Sequence, residues 1–304
     1  MTDHHVATRN IYQKQHERIS SDHDAAGRIF GMYEANTFGM PRDWFAGKEV
    51  IDVGCGNVGA LMARLHALGA AKCYGIDIGS DWIQPLQAIL LKNGLGPDEF
   101  EIKPGSVLEI PYDDKRFEFT AINGVLIHLA NMDEIAKGFM EGARVTKAGG
   151  ALYTSWGPCG GLMQGVIFPA IRGYYRTNPD FRAFIDNIDP ACLQKTIDKI
   201  VDDTARYTGE KLDREFLRSL FGMDFCVFLQ NFIQAPTWYS NECTPAFVES
   251  LYACAGFTNV RRLSSFVRRS DIRKFFAPLH YDRDFTVSKI LYGEGYVQYV
   301  GEKI

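Results

Sequence analysis

No apolar stretch of the 304-residue sequence reaches the roughly 18 to 20 residues that a bilayer crossing needs. The opening residues, Met1-Thr2-Asp3-His4-His5, are polar and lack the apolar core of a secretory leader. An excess of one charge is missing too: 33 Lys plus Arg stand against 37 Asp plus Glu, a formal net charge of -4. A chain organised around nucleic acid usually carries a basic footprint, so nucleic acid is not an expected partner. Paired cysteines are also lacking. Cys55, Cys73, Cys159, Cys192, Cys226, Cys243 and Cys254 are odd in number and form no CxxC pair, unlike a zinc knuckle or a secreted disulfide framework. The histidines, among them His4, His5 and His280, have no partners at metal-ligand spacing. These absences lead us to expect a soluble cytoplasmic protein with reduced thiols, no membrane partner and no metal.

With 46% hydrophobic and 23% charged residues the chain can bury a sizeable core. At about 150 residues per domain its length allows one large domain or two ordinary ones. Residues 1–45 are mostly polar, and the spacing of Ile11, Tyr12, Ile19, Ile29, Phe30, Met32 and Tyr33 predicts short amphipathic helices. From residue 48 strands and helices alternate. Val50 to Val53 reads as a buried strand, followed by a helix carrying Leu61, Met62, Leu65 and Leu68 and ended by Gly69. Lys72 to Ile78 is a second strand, and Ser80 is expected to cap a helix running to Asn93. Phe100–Lys103, Phe117–Ile122 and Ala151–Trp156 read as strands three to five, with a helix over Asp133–Val145. Such alternation predicts a parallel sheet covered on both faces.

Residues 157–240 break the rhythm with helical stretches at Pro190–Thr208 and Leu212–Phe221, the first started by Asp189. A helix over Thr244–Ala255 and a strand at Thr258–Leu263 resume it, and Tyr296–Val300 suits a last strand, with Phe285–Tyr292 as the alternative.

Chemistry concentrates where the first strand ends. Val50-Ile51-Asp52-Val53-Gly54-Cys55-Gly56-Asn57-Val58-Gly59 delivers a strand into a glycine loop and then a helix. Glycines admit a ligand close to the backbone, and the helix N-terminus offers free N–H groups. Asp77 ends the second strand 23 residues after Gly54, where a carboxylate can accept hydrogen bonds from both hydroxyls of a ribose. These two features alone serve a nicotinamide cofactor and an adenosyl cofactor equally.

The wider order of motifs separates them. Val50 to Gly56 resembles the first motif of the class I S-adenosylmethionine-dependent methyltransferases, and Gly75-Ile76-Asp77-Ile78 their acidic second strand. Gly105-Ser106-Val107 ahead of Ile110-Pro111-Tyr112 is similar to the third-strand loop, and Phe117 to Leu129 to the fourth strand with the helix start after it. Lys147-Ala148-Gly149-Gly150 resembles the turn before strand five, and Ala255-Gly256-Phe257 the lead-in to strand six. Gly59 stands one residue later than in many members, and Ser106 replaces a common Asp while still able to donate and accept hydrogen bonds.

This resemblance implies an α/β fold: a Rossmann-like, mostly parallel seven-stranded sheet with helices on both faces. Residues 1–45 would be an N-terminal helical cover, 46–156 and 241–304 the core, and 157–240 an inserted helical lid. It implies S-adenosyl-L-methionine as cofactor, with Asp52, Gly54 and Gly56 at its methionine end and Asp77 on the ribose. Ile78, Ser106 and Val107 would flank the adenine, and Asn123 would lie beside the sulfonium. Tyr12, Tyr33 and Trp156 are candidates to face that cation.

Methyl transfer is a direct displacement, so alignment in a water-poor pocket carries much of it, and a general base serves only a nucleophile that must lose a proton. His128, after strand four, is the candidate base. A private lid suits a small-molecule acceptor. An RNA or protein methyltransferase, a nicotinamide-dependent oxidoreductase and a non-catalytic cofactor-binding protein stay open as alternatives. Arg261-Arg262, Arg268-Arg269 and Arg273-Lys274 form the one basic run relevant to RNA. A homodimer also stays open.

Overall fold

Seven strands form one sheet in a computed structural model that describes residues 3–21, 33, 35–220, 223–263 and 286–304. The strands are β1 (Glu49–Val53), β2 (Lys72–Asp77), β3 (Phe100–Pro104), β4 (Phe117–Asn123), β5 (Thr146–Cys159), β6 (Phe257–Arg262) and β7 (Gly295–Lys303). Their order is β3-β2-β1-β4-β5-β7-β6. The first five run parallel, while β7 lies antiparallel to both β5 and β6. The order reverses at β1, which pairs with β2 on one side and β4 on the other. In an open α/β sheet such a reversal leaves a crevice beyond the carboxyl ends of the strands.

Alternation along the strands sends side chains into two cores, one per face. Ile51, Ile76, Leu152 and Trp156 pack with Phe139, Val248 and Tyr252. The last three belong to helices α4 (Met132–Val145) and α10 (Pro245–Cys254). Val50, Cys73, Ala151 and Tyr153 pack on the other face with Leu61, Met62, Leu86 and Leu90, from α2 (Ala60–Ala67) and α3 (Ile83–Lys92). The caps are local and legible: Asn131, Asp189 and Thr244 each accept a backbone N–H at a helix start.

Between β5 and α10 the described chain is helical: α5 (Phe168–Thr177), α6 (Pro179–Asp186), α7 (Pro190–Thr208), α8 (Arg214–Leu220) and α9 (Met223–Gln234). Ile185, Phe232 and Ile233 make a separate small core among them. In the N-terminal region the described residues form a helix of 19 residues, α1 (Asp3–Ser21), and a 3-10 turn, Ala35–Phe38.

Three expectations are corrected and one alternative is closed, since Tyr296–Val300 lies in the last strand as expected. Ser80 caps nothing: it opens a short 3-10 turn, Ser80–Trp82, its hydroxyl donates to Asp81, and α3 starts only at Ile83. Helix α8 begins at Arg214, because Asp213 accepts the Phe216 N–H and fixes its start. Thr286–Tyr292 is a helix, α11, so the last strand is β7. Trp156 has no exposed surface; its indole donates to Thr154 at 2.8 Å inside the core and does not face a ligand. Ile29, Phe30, Met32, His280, Arg268, Arg269, Arg273 and Lys274 lie outside the described residues.

Candidate functional site

The glycine loop after β1 is bent by left-handed backbone at Gly54 (φ 84°) and Gly56 (φ 58°). At Gly54 a Cβ would stand 2.3 Å from Val125 Cγ2, so only glycine lets this loop lie flush against the segment after β4. Gly54 and Cys55 both donate their N–H to the Ile76 carbonyl, tying the loop to β2.

Asp77 sits at the end of β2 and organises its surroundings. Its carboxylate accepts the Gly56 N–H at 3.0 Å and the Gly79 N–H at 3.0 Å. Burial raises its pKa, and backbone N–H groups of Gly79, Gly56 and Ile78 oppose the rise. Beside it Trp82 lays its indole over Gly79, where any Cβ would collide.

A cavity of about 290 Å³ opens here. The strand-end loops supply Gly54, Asp77, Ile78, Ser106, Val107 and Asn123, and the turn after β4 supplies His128. Seven of the sequence-predicted residues therefore share one cavity. Asp52 and Gly56 are not among its lining residues: Asp52 is buried, and the Gly56 N–H donates to Asp77. Burial, and then the charge of Asp77, push the Asp52 carboxyl up to about 8, so it is largely protonated at neutral pH. Ser106 accepts the Leu108 N–H at 3.2 Å through its hydroxyl, which keeps its own proton to donate. Asn123 donates to the Tyr33 hydroxyl at 2.8 Å.

His128 ends a 3-10 turn, Leu126–His128. Burial lowers its pKa to about 4, so the ring is neutral near pH 7. The Tyr12 hydroxyl lies 2.8 Å from its Nε2, and the Trp238 ring meets it edge-on at 5.2 Å. Its carbonyl accepts the Thr237 hydroxyl at 2.9 Å and pairs with His4 Nε2 at 2.9 Å.

Sequence reasoning missed the opposite wall. His5, Thr8 and Arg9 of α1 line the cavity together with Tyr12, which the sequence offered only as an aromatic face. Their spacing places all four on one helix face. That periodicity is visible in the sequence, but a polar stripe reads as a solvated face when only apolar periods are sought.

The donor set suits an adenosyl cofactor in three respects. Gly54 leaves a flush floor, Asp77 presents a fixed carboxylate, and buried polar atoms lack partners among the described residues: Asn57 Oδ1, Thr8 Oγ1 and Arg9 Nε. Among the described residues, no three His, Cys, Asp or Glu side chains are grouped to hold a metal.

The chain is similar to several known proteins. Residues 51–154 match the family model for a methyltransferase domain. The demethylmenaquinone methyltransferase of Bacillus mycoides (strain KBAB4) is 30% identical over 163 residues, 50% of this chain and 65% of that protein. The chain thus spans less than two thirds of that relative. Its counterpart in Bacillus cereus (strain ATCC 10987 / NRS 248) is 29% identical over the same length. Among solved structures, Haemonchus contortus phosphoethanolamine N-methyltransferase 1, in complex with phosphoethanolamine and S-adenosylhomocysteine, is 16% identical. It covers 51% of this chain and 33% of its own, with a TM-score of 0.40.

Proposed function

We propose that this protein is a class I S-adenosylmethionine-dependent methyltransferase that methylates a small-molecule acceptor in the cytoplasm, a reading supported by the match of residues 51–154 to a methyltransferase domain. The observation that carries the reading is the cavity at the strand ends, where Gly54, Asp77, Ile78, Ser106, Val107 and Asn123 meet. The Bacillus relatives, named for a small-molecule acceptor, support the substrate class. Seven free cysteines suit a reducing compartment, and among the described residues no helix is long and apolar enough to cross a membrane.

When bound, the cofactor supplies a methyl group on a sulfonium. Asp77 accepts the ribose hydroxyls with the oxygen lone pairs left over from Gly56 and Gly79. Gly54 admits the methionine end, and Asp52, protonated, can donate behind it. Ile78 and Val107 offer apolar flanks to the adenine, and Ser106 its hydroxyl proton. Asn123 lines the cavity and spends an amide N–H on the Tyr33 hydroxyl, so its side-chain carbonyl would serve the reacting end. His128 is neutral near pH 7 and takes the proton of an acceptor that must lose one, while Tyr12 fixes its ring.

Residues 1–45 act as the cover, and 157–240 as the lid, of a core formed by 46–156 and 241–304. The cover reading rests on α1, whose His4 and His5 reach the His128 carbonyl and Glu134. Calorimetric titration with S-adenosylmethionine should show one site per chain, and NADH should not bind. The opposite pattern would install the oxidoreductase reading.

A further inference from the structure

Helix α1 does more than shade the cavity. Thr8 is 8% exposed and its Oγ1 is buried without a hydrogen-bond partner among the described residues; the same holds for Arg9 Nε. Buried polar atoms of this kind are rare in folded proteins and mark a missing partner. Both residues line the cavity.

Arg9 is not spent on holding the helix. Its ion pair with Asp81 is 3.8 Å long, and the Asp81 side chain is 62% exposed, so water screens it. The first turns of α1 are held by other groups. His4 Nε2 pairs with the His128 carbonyl at 2.9 Å, His5 Nε2 with Glu134 Oε2 at 3.2 Å, and Tyr12 with His128 at 2.8 Å.

Position assigns the missing partner. Asp81 and Trp82 lie just beyond Asp77 in the chain, so Arg9 hangs over the end of β2, the side read above as the nucleoside side. A guanidinium only donates, so its partner is an acceptor oxygen. An adenosyl amino acid offers such oxygens on its carboxylate and on its ribose.

Resting on the cofactor reading, we propose that Thr8 and Arg9 complete the cofactor site from above, Arg9 donating through its guanidinium to an oxygen of the bound cofactor. The cofactor would then be clamped between the strand ends and α1, and α1 would be part of the binding site.

The test is calorimetric titration of the full chain with S-adenosylhomocysteine and with 5′-methylthioadenosine, which keeps the ribose but lacks the amino-acid carboxylate. Arg9→Ala should weaken S-adenosylhomocysteine about tenfold or more and Arg9→Lys less, as expected for a charged hydrogen bond, and Thr8→Val about threefold. Asp81→Asn should stay within about twofold of the unaltered protein. Loss on both ligands places the oxygen on the ribose, and loss on S-adenosylhomocysteine alone places it on the carboxylate. Unchanged circular dichroism and thermal midpoint of the free variants would exclude simple unfolding. An Arg9→Ala protein that binds as the unaltered one, or an Asp81→Asn protein that reproduces its loss, would overturn the proposal alone. Failure of the unaltered protein to bind would overturn the cofactor reading and this inference with it.

Discussion

The two walls of the cavity are built differently. The strand-end wall is made of backbone: Gly54, Gly56 and Gly79 are held by hydrogen bonds to Ile76 and Asp77, and most of β1, β2 and β4 behind them is buried. The α1 wall is made of side chains on one helix, tied down by His4, His5 and Tyr12, with Arg9 only loosely paired. Unmaking the first means breaking the sheet, whereas releasing the second breaks a few partly buried contacts. The first wall is therefore a preformed mould, and the second is the natural place for ligand to enter and be enclosed.

Substitutions should separate the walls in order of effect. Asp77→Ala strikes the mould, removing both the ribose acceptor and the clamp on Gly56 and Gly79. S-adenosylhomocysteine affinity should fall about a hundredfold or more, from two charge-assisted hydrogen bonds lost, as read by calorimetry. His128→Ala strikes the reacting end and also removes the partner of Tyr12 on α1. Turnover should fall by about a hundredfold if the acceptor loses a proton, a larger loss than that in cofactor affinity.

The pH dependence of stability carries a second signature of His128. Its folded pKa is lowered from 6.5 to about 4 by burial. The unfolded imidazole therefore binds a proton first, and stability is lost as pH falls from about 6.5 through about 4. His128→Gln should flatten that acid limb of the thermal midpoint. Asp52 works in the opposite sense. Its folded pKa is raised from 3.8 to about 8, so its contribution is full below 3.8 and lost as pH rises toward 8. Asp52→Asn should raise the midpoint of the free protein at pH 8 more than at pH 5. Farthest from either wall, Thr244→Ala removes the α10 cap. About 1 kcal/mol of stability should go, seen by denaturant melts, with ligand binding untouched.

The contrast between the walls also explains what the sequence disclosed. The places of Gly54 and Asp77 on the cavity were legible because a strand, a loop and a helix start lie within a few residues of each other, and that of Ser106 because it stands in the loop just after the third strand. Local backbone rules fix such units. Thr8 and Arg9 were not legible, since their role depends on α1 crossing from the N-terminus to the mouth of a sheet that starts at residue 49. No local rule reports where a polar helix face will dock. Trp156 failed in the opposite direction. Its aromatic ring suits a cation or a core equally, and its place on the buried β5, with Thr154 accepting its N–H, decides for the core. Ser80 looked like a cap because Ser favours that position, but Trp82 closing over Gly79 tightens the segment into a 3-10 turn first.

Hydrogen exchange of the full chain, free and with S-adenosylhomocysteine, tests the two-wall account most directly. Slow exchange is expected at the Gly56 and Gly79 amides already in the free protein, with ligand adding its largest protection in α1. Fast exchange at those two amides in the free protein, or no ligand-induced protection in α1, would contradict it.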